Sequence, residues 1–332
     1  MMNGQPQINM LIPLFNEEEV FEELTRRLTA VMDNSYLSIS VIMVDDGSRD
    51  NTSLLMKRKS MEDPRFVSVI LSRNFGHQLA LTAGLAHVNA TEAVFILDGD
   101  LQDPPELLEE FYIYLKQGYD VIYAVRKKRK EIFLKRWAYK GFYMLMKYIS
   151  YFEIPLDSGD FSLVSRRVID ELNHMKEESR FLRGMRSWIG YKQIGVPYDR
   201  QERYSGGSKY TFKRLLSLAY NGIFNFSEFP IKFISNLGVI TVLISLIYLA
   251  TTLVKKFVYG VVPEGFTGLI FAIVLFGGVQ LMSIGILGEY IIRIFFQVKN
   301  RPLFIVKEII RKPEQEQEPE PVLNEQDGEA VL

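Results

Sequence analysis

Two aspartates separated by one glycine form the most chemically suggestive motif of the chain. Asp98 and Asp100 flank Gly99 directly after an apolar run, and Pro104 follows a few residues later. The glycine lets the backbone approach a ligand closely, and hard cations such as Mg²⁺ or Mn²⁺ prefer carboxylate oxygens. Such a triplet is often only a polar turn. Its place between a buried strand and a helix that starts with proline favours a metal site that bridges to substrate phosphates.

Two further polar segments follow apolar runs nearer the N-terminus. Pro13-Leu14-Phe15-Asn16-Glu17 closes the first run, and Asp45-Asp46-Gly47-Ser48 closes the second. Helix N-caps and turns use the same residue types. The functional interpretation is that their oxygens and backbone recognise a nucleoside base and ribose. Since the chain has no glycine-rich phosphate loop, metal and basic side chains would have to neutralise a diphosphate.

The elements that must position these residues alternate along the first 125 residues. Apolar runs predict strands at 8–14, 39–44, 66–71, 93–97 and 120–125, and helical patterns predict helices at 17–32 and 104–116. This order predicts an α/β fold with a mostly parallel, Rossmann-like sheet and flanking helices. Ligands of such sheets bind at the carboxyl ends of the strands, which is where the three polar segments fall.

The C-terminal third differs from the rest of the chain in composition. Segments 233–254 and 266–288 contain no charged residue, and each is long enough to cross a hydrocarbon core. They predict a transmembrane hairpin, with buried core helices as the alternative. Basic residues are more numerous after the second segment than in the short loop between the two. This bias places the N-terminal domain and both chain ends in the cytoplasm. Glycines in the second segment favour close helix packing in a homo-oligomer.

The predicted domains are a catalytic domain at 1–228, a hairpin at 229–298 and a cytoplasmic tail at 299–332. Within the first, segments 131–151 and 209–226 combine basic and aromatic residues, which favours interfacial amphipathic helices over ordinary solvated ones. The tail from 313 has seven acidic residues and no basic one, so we expect it to be disordered. The absence of cysteine excludes disulfides and thiolate metal sites. No nucleic-acid partner is predicted.

Four motifs in order resemble the signature of GT-A glycosyltransferases of family 2. They are Ile12-Pro-Leu-Phe-Asn-Glu17, Val44-Asp-Asp-Gly-Ser48, Asp98-Gly-Asp-Leu-Gln-Asp-Pro104 and Tyr204-Ser-Gly-Gly-Ser-Lys-Tyr210. More narrowly, residues 7–305 resemble the polyisoprenyl-phosphate glycosyltransferases, which include dolichol-phosphate mannose synthases. The likeness is closer to bacterial bactoprenol (undecaprenyl) phosphate glucosyltransferases, because the chain has two C-terminal spans.

That resemblance implies an integral protein of a bacterial plasma membrane. It would transfer a hexose with inversion, glucose from UDP-glucose being favoured, to a polyprenyl phosphate at the cytoplasmic face. Mg²⁺ or Mn²⁺ would be the cofactor. Donors that carry mannose or an aminosugar remain alternatives.

The resemblance also implies a role for each matching residue. Residues that would line the nucleoside pocket are Pro13, Phe15, Glu17, Asp45 and Asp46. The metal would be held by Asp98 and Asp100, with Gln102 completing its shell and Gly99 beside the donor. Arg126 would meet the acceptor phosphate. A loop that would close over the diphosphate contains Arg203, Ser208 and Lys209. The resemblance places a catalytic carboxylate near Asp157 and Asp160, and Asp157 is the predicted base.

Two other readings fit the sequence less well. A processive polysaccharide synthase would need more spans and a Gln-x-x-Arg-Trp-like motif. The nearest run, Gln201-Glu-Arg203-Tyr204, has the wrong spacing. A non-catalytic membrane scaffold that binds a nucleotide would not need a pair of metal ligands together with two further acidic segments.

The role of Asp157 can be tested by the Asp157→Asn variant. Loss of a general base should lower kcat by about 10²–10⁴-fold, whereas UDP binding should not change. Both are measured from pH 6 to 9, because a phosphate acceptor that ionises unaided would shrink the defect at high pH. Normal transfer would remove Asp157 from catalysis, and weakened UDP binding would move it to the donor site.

Overall fold

The computed structural model of the protein describes residues 5–126, 158–178, 180–199, 229–260 and 265–312. The predicted amphipathic helices at 131–151 and 209–226 and the acidic tail from 313 lie outside these ranges. The strands are β1 (Ile8–Leu14), β2 (Ile39–Asp45), β3 (Phe66–Leu71), β4 (Ala93–Ile96), β5 (Val121–Arg126), β6 (Ser158–Ser165), β7 (Gln193–Tyr198) and β8 (Val306–Ile310). The α-helices are α1 (Glu18–Asn34), α2 (Thr52–Glu62), α3 (His77–Ala86), α4 (Leu108–Lys116), α5 (Arg166–His174), α6 (Leu182–Ile189), α7 (Phe229–Tyr259) and α8 (Phe266–Lys299).

The eight strands form one sheet in the order β7-β5-β6-β4-β1-β2-β3-β8. The central strands β4, β1, β2 and β3 are parallel neighbours. Strand β6 runs antiparallel between β4 and β5, β7 is parallel to β5, and β8 runs antiparallel to β3. The predicted α/β class is confirmed, and each of the five predicted strands lies within one residue of its observed bounds.

Helices cover both faces of the sheet. The buried side chains of α1, α2 and α4 pack on one face, and those of α3, α5 and α6 pack on the other. Strand β1 lies between the two layers, and all seven of its residues are buried. A strand covered on both faces needs apolar side chains in both directions, which explains the continuous apolar run that predicted it.

After α8 the chain returns to the sheet. Strand β8 pairs with the edge strand β3, and Phe304 packs against the core beneath it. The Nε2 atom of Gln297, near the end of α8, donates a hydrogen bond to the Lys176 carbonyl at 2.7 Å. The Glu178 amide donates to the Gln297 Oε1 atom at 3.0 Å. The predicted boundaries place this segment in the tail and include no strand there, because a short, exposed edge strand gives a weak hydrophobic pattern.

Helices α7 and α8 are longer than the predicted spans. The described residues contain two stretches long and apolar enough to cross a membrane, Ile231–Val258 and Leu275–Lys299. The most apolar part of each stretch is not buried by the rest of the described protein. This exposure disfavours the alternative of buried core helices, because large apolar surfaces need some cover. The predicted domain boundaries remain a prediction.

The contribution of the returning segment can be tested by comparing Phe304→Ala with Ile309→Ala. Phe304 is partly buried against the core, so its truncation should lower the free energy of unfolding by about 1–3 kcal/mol. Ile309 lies on β8 but is 43% exposed, so its truncation should cost less than about 0.5 kcal/mol. Denaturant unfolding in detergent measures both. Equal effects would contradict the packing of this segment on the catalytic domain.

Candidate active site

The strand order of the described sheet reverses at β1, and the space outside the strand ends at this point is called the crevice below. Strand β1 is followed along the chain by β2 on one side, whereas β4 lies on its other side. Ligands of open α/β sheets bind at such a point, outside the carboxyl ends of the strands. The polar segments after β1, β2 and β4 all leave the sheet at this edge. Strand β5 points the same way as β4, because both are antiparallel to β6, so Arg126 also ends at this edge.

The Asp98-Gly99-Asp100 motif is pressed against the end of β1. A Cβ atom on Gly99 would lie 2.4 Å from the Leu14 Cδ2 atom and 3.3 Å from the Pro13 carbonyl oxygen. A side chain at this position would therefore require Leu14 to move and the Pro13 carbonyl to give way slightly. The side chain of Asp98 is 36% exposed, and Asp100 Oδ1 accepts a hydrogen bond from the Gln102 amide at 3.2 Å. The Asp100 carboxylate is thus held by the backbone of the turn that follows it.

The donor set of this motif suits a metal that is shared with a substrate. In the parts of the chain that the structure describes, no group of three or more His, Asp or Glu residues could hold a metal ion alone. Mg²⁺ is usually bound by one or two carboxylates together with substrate phosphates and water. Asp98 and Asp100 fit that pattern. The predicted metal role of these residues and Gln102 stays a prediction.

The segments after β1 and β2 are joined by hydrogen bonds. The Asn16 amide donates to Ser48 Oγ at 2.9 Å, and the Arg49 amide donates to Asn16 Oδ1 at 2.8 Å. The Glu17 amide donates to Thr52 Oγ1 at 2.9 Å. Pro13 is buried, whereas Phe15 and Glu17 are half-buried. The structure therefore brings the predicted nucleoside residues together at the crevice, although no ligand contact tests their roles.

The two aspartates that end β2 hold local backbone. The Asp45 Oδ1 atom accepts a hydrogen bond from the Ser48 amide at 2.9 Å. The Asp46 carboxylate accepts hydrogen bonds from the Phe75 amide at 2.7 Å and the Gly76 amide at 2.9 Å. Burial raises the pKa of Asp46, and these amides only partly offset that rise. Asp46 thus fixes the loop after β3, and its predicted contact with the nucleoside remains a prediction.

A cluster of charges around the buried Asp160 lies beside the motif. Asp160 accepts hydrogen bonds from Arg183 Nε at 2.9 Å, Arg183 Nη2 at 3.0 Å and Gln78 Nε2 at 3.1 Å. The Nε2 atom of His77 lies 3.2 Å from Asp160 Oδ2 and 3.7 Å from Asp98 Oδ1. This cluster contains Gln78 and Arg183, which belong to none of the sequence motifs. Its members are too far apart in sequence for any spacing to reveal the cluster.

The environment of Asp160 makes it a poor general base. Burial alone would raise the pKa of this carboxyl, but the Arg183 charge and the bonds from His77 and Arg183 hold the pKa well below its usual range. Burial lowers the pKa of His77, whereas Asp160 and Asp98 outweigh that effect and raise it to about 9. Both oxygens of Asp160 already accept hydrogen bonds. Of the two carboxylates weighed as base, Asp157 is therefore the better candidate.

Of the other predicted site residues, the structure describes Arg126. Arg126 is half-buried and contacts the hydroxyl of Tyr198, which donates a hydrogen bond to Asp103 at 2.9 Å. The remaining predicted residues lie outside the described ranges, and their roles stay predictions: Asp157, Arg203, Ser208 and Lys209. Ser158, the residue after Asp157 in the sequence, begins β6 at the edge of the sheet that carries the crevice.

Comparison with known proteins agrees with this fold. Residues 10–172 match the family described as Glycosyl transferase family 2. The chain is 40% identical over 307 residues to the uncharacterized glycosyltransferase YkcC of Bacillus subtilis, covering 92% of this chain and 95% of that protein. It is 36% identical over 302 residues to the SfII prophage-derived bactoprenol glucosyl transferase of Shigella flexneri, covering 91% and 97%. A prophage bactoprenol glucosyl transferase homolog of Escherichia coli is 34% identical, covering 91% and 99%.

The chain therefore belongs to the family 2 glycosyltransferases, and it is an enzyme of that class. The expected resemblance to bactoprenol glucosyltransferases is confirmed, because the likeness extends over nine-tenths of the chain.

The loop held by Asp46 can be tested with Gly47→Ala. Gly47 has a φ of 70°, and a Cβ atom there would lie 2.5 Å from the backbone of Arg73. The loop would have to move, and a misplaced site can lower transfer by about 10²-fold. Gly118→Ala is the matched control, because its φ is 86° but no atom lies within 4 Å of the added carbon. That variant should lose about 1–2 kcal/mol of stability and keep full activity. Equal rates of transfer by Gly47→Ala and Gly118→Ala would show that the position of the loop after β3 does not affect transfer.

Proposed function

We propose that this enzyme transfers a hexose, glucose being favoured, from UDP-glucose to a polyprenyl phosphate such as undecaprenyl phosphate. The reaction is a single displacement that inverts the anomeric carbon and yields a polyprenyl-phospho-sugar and UDP. It takes place at the cytoplasmic face of the membrane. The observation that carries this proposal is the chain-long likeness to bactoprenol glucosyl transferases, which includes the crevice and both long apolar helices.

The donor would bind across the crevice between β1 and β4. The half-buried Phe15 and Glu17 would contact the base and ribose. Pro13, Asp45 and Asp46 would support them from the ends of β1 and β2. Asp98 and Asp100 would hold Mg²⁺ or Mn²⁺, with Gln102 beside them. Such an ion, when bound, neutralises charge on the diphosphate and on the nucleotide that leaves. Arg203, Ser208 and Lys209 would add positive charge and hydrogen bonds to the leaving group.

The acceptor would approach from the β5–β6 side of the crevice. Arg126 ends β5 there and would hold the acceptor phosphate, and β6 begins there directly after Asp157. A phosphate oxygen forms the new bond to the anomeric carbon as the bond to the diphosphate oxygen breaks. The second pKa of a phosphate monoester is about 6, so the acceptor phosphate is largely ionised at neutral pH. Asp157 would therefore act chiefly by orienting it.

The long helices would keep the enzyme at the surface that holds its acceptor. A helix of 31 or 34 residues is about 47–51 Å long, which exceeds a hydrocarbon core of about 30 Å. The apolar side chains along both helices are largely exposed, as lipid contact requires. The excess of basic residues after the second helix supports a cytoplasmic catalytic domain. Association into a homo-oligomer through the helices is part of the proposal.

The metal assignment is tested by Asp100→Asn. This change removes one charge from the metal site, so it should lower transfer by at least about 10²-fold while the protein stays folded and bound to the membrane. Asp170→Asn is the control, because Asp170 is a half-exposed carboxylate on α5, away from the crevice. Excess chelator should stop the native enzyme. Full activity of Asp100→Asn, or of the native enzyme in excess chelator, would contradict a metal at Asp98 and Asp100.

The substrates are tested by a panel of UDP- and GDP-sugars with undecaprenyl phosphate, followed by extraction of the lipid product. We expect a labelled lipid from UDP-glucose and a lower yield from the other donors. A higher yield from a mannose or aminosugar donor would show that the enzyme prefers that sugar to glucose. Absence of a lipid product with every donor would overturn the acceptor.

A further inference from the structure

His77 lies between two carboxylates that belong to different strands. Its Nε2 atom is 3.7 Å from the Oδ1 atom of Asp98, which follows β4, and 3.2 Å from the Oδ2 atom of Asp160, which belongs to β6. The side chain of Asp98 is 36% exposed at the crevice, whereas that of Asp160 is 7% exposed. One ring nitrogen therefore lies within hydrogen-bond distance of the inner carboxylate and within ion-pair distance of the carboxylate at the crevice.

The inner carboxylate cannot move freely. Arg183 contacts both oxygens of Asp160, and the Gln78 amide donates to one of them. Gln78 is itself held, because its Oε1 atom accepts a hydrogen bond from the Leu182 amide at 2.9 Å. Helices α3 and α6 therefore clamp Asp160 from two sides. A side chain bound to such an anchor loses most of its rotational freedom.

The backbone of His77 is fixed as well. His77 is the first residue of α3, and the two preceding amides donate hydrogen bonds to the buried Asp46 carboxylate. The imidazole is thus held at its base by the end of β2 and at its tip by β6. Its side chain is nevertheless 40% exposed, so it is not a core residue that merely fills space.

We propose that His77 is a positioning residue for the metal site: anchored by Asp160, it fixes the carboxylate of Asp98 in the orientation that binds the cation. This inference rests on the proposed function, which assigns the metal to Asp98 and Asp100. Carboxylates that bind metals are themselves oriented by hydrogen-bonding or charged partners, and loss of such a partner weakens metal binding by about 10–100-fold. His77 touches neither substrate nor metal in this role.

The inference is tested by direct Mn²⁺ binding to the full-length protein in detergent with UDP present. Free Mn²⁺ is followed by electron paramagnetic resonance. We expect His77→Ala to raise the Kd for Mn²⁺ by about 10–100-fold. The metal concentration for half-maximal transfer should rise in parallel, while kcat at saturating Mn²⁺ stays within a few-fold of the native value. His77→Gln keeps a side-chain N–H donor and should recover part of the affinity.

The matched control is His87→Ala. His87 follows the other end of α3, where its Nδ1 atom lies 2.7 Å from the Ala83 carbonyl oxygen of that helix. This variant should bind Mn²⁺ like the native protein. An unchanged Mn²⁺ affinity in folded His77→Ala, or in His77→Gln if the alanine variant does not fold, overturns the inference. A kcat that stays low at saturating Mn²⁺ also overturns it, because the residue would then act in the transfer step.

The native protein separates this inference from the proposed function. If native protein with UDP binds no Mn²⁺, the metal assignment fails and the role of His77 fails with it. If the native protein binds Mn²⁺ and Asp100→Asn abolishes binding, but His77→Ala leaves it unchanged, only the role of His77 fails.

Discussion

The contact between Gly99 and the end of β1 is the constraint on which the crevice depends. Strand β1 is buried on both faces, so its carboxyl end cannot shift without disturbing two apolar layers. The backbone at Gly99 rests directly on Leu14 and Pro13 of this strand. The carboxylates on either side of Gly99 therefore take their positions from the most rigid part of the fold. A metal site gains from such support, because small displacements of its ligands are costly.

Buried carboxylates hold the rest of the site in place. Asp46 fixes the loop before α3 through backbone amides, and Asp160 joins α3, α6 and β6 through Gln78 and Arg183. Each is buried and each is satisfied by several donors, as buried charges must be. The two anchors act on the same short segment, which ends in His77. The connection between β3 and α3 is therefore tied both to Asp46, which follows β2, and to Asp160 on β6.

The returning strand β8 gives the long helices a second connection to the catalytic domain. The chain leaves α8 at Lys299, and within a few residues it adds a strand to the edge of the sheet. Gln297 bonds to the segment between α5 and α6 at the same place. The end of α8 is therefore tied to the domain that contains the crevice. For an enzyme with a lipid acceptor, such a tie would limit the distance between crevice and membrane.

Local sequence was enough to predict the α/β class and five of the eight described strands. Continuous apolar runs located these strands to within one residue, because strands covered on both faces must be apolar throughout. The polar segments after three of them were predicted to share one edge of the sheet, because parallel strands place their carboxyl ends together. The uncharged segments at 233–254 and 266–288 likewise gave two long helices. These features depend on near neighbours in sequence.

Only the tertiary structure decided which side chains meet. Asp160 could be read from sequence as a base, but its bonds to Arg183, Gln78 and His77 join residues more than 20 positions apart on three elements. Asp46 could be read as a ligand contact, yet its oxygens hold the loop after the next strand. Strand β8 is short, exposed and charged, so its pairing with β3 leaves almost no periodic signal. A sequence pattern reports the environment of one segment, whereas pairing between distant segments depends on how the chain folds back.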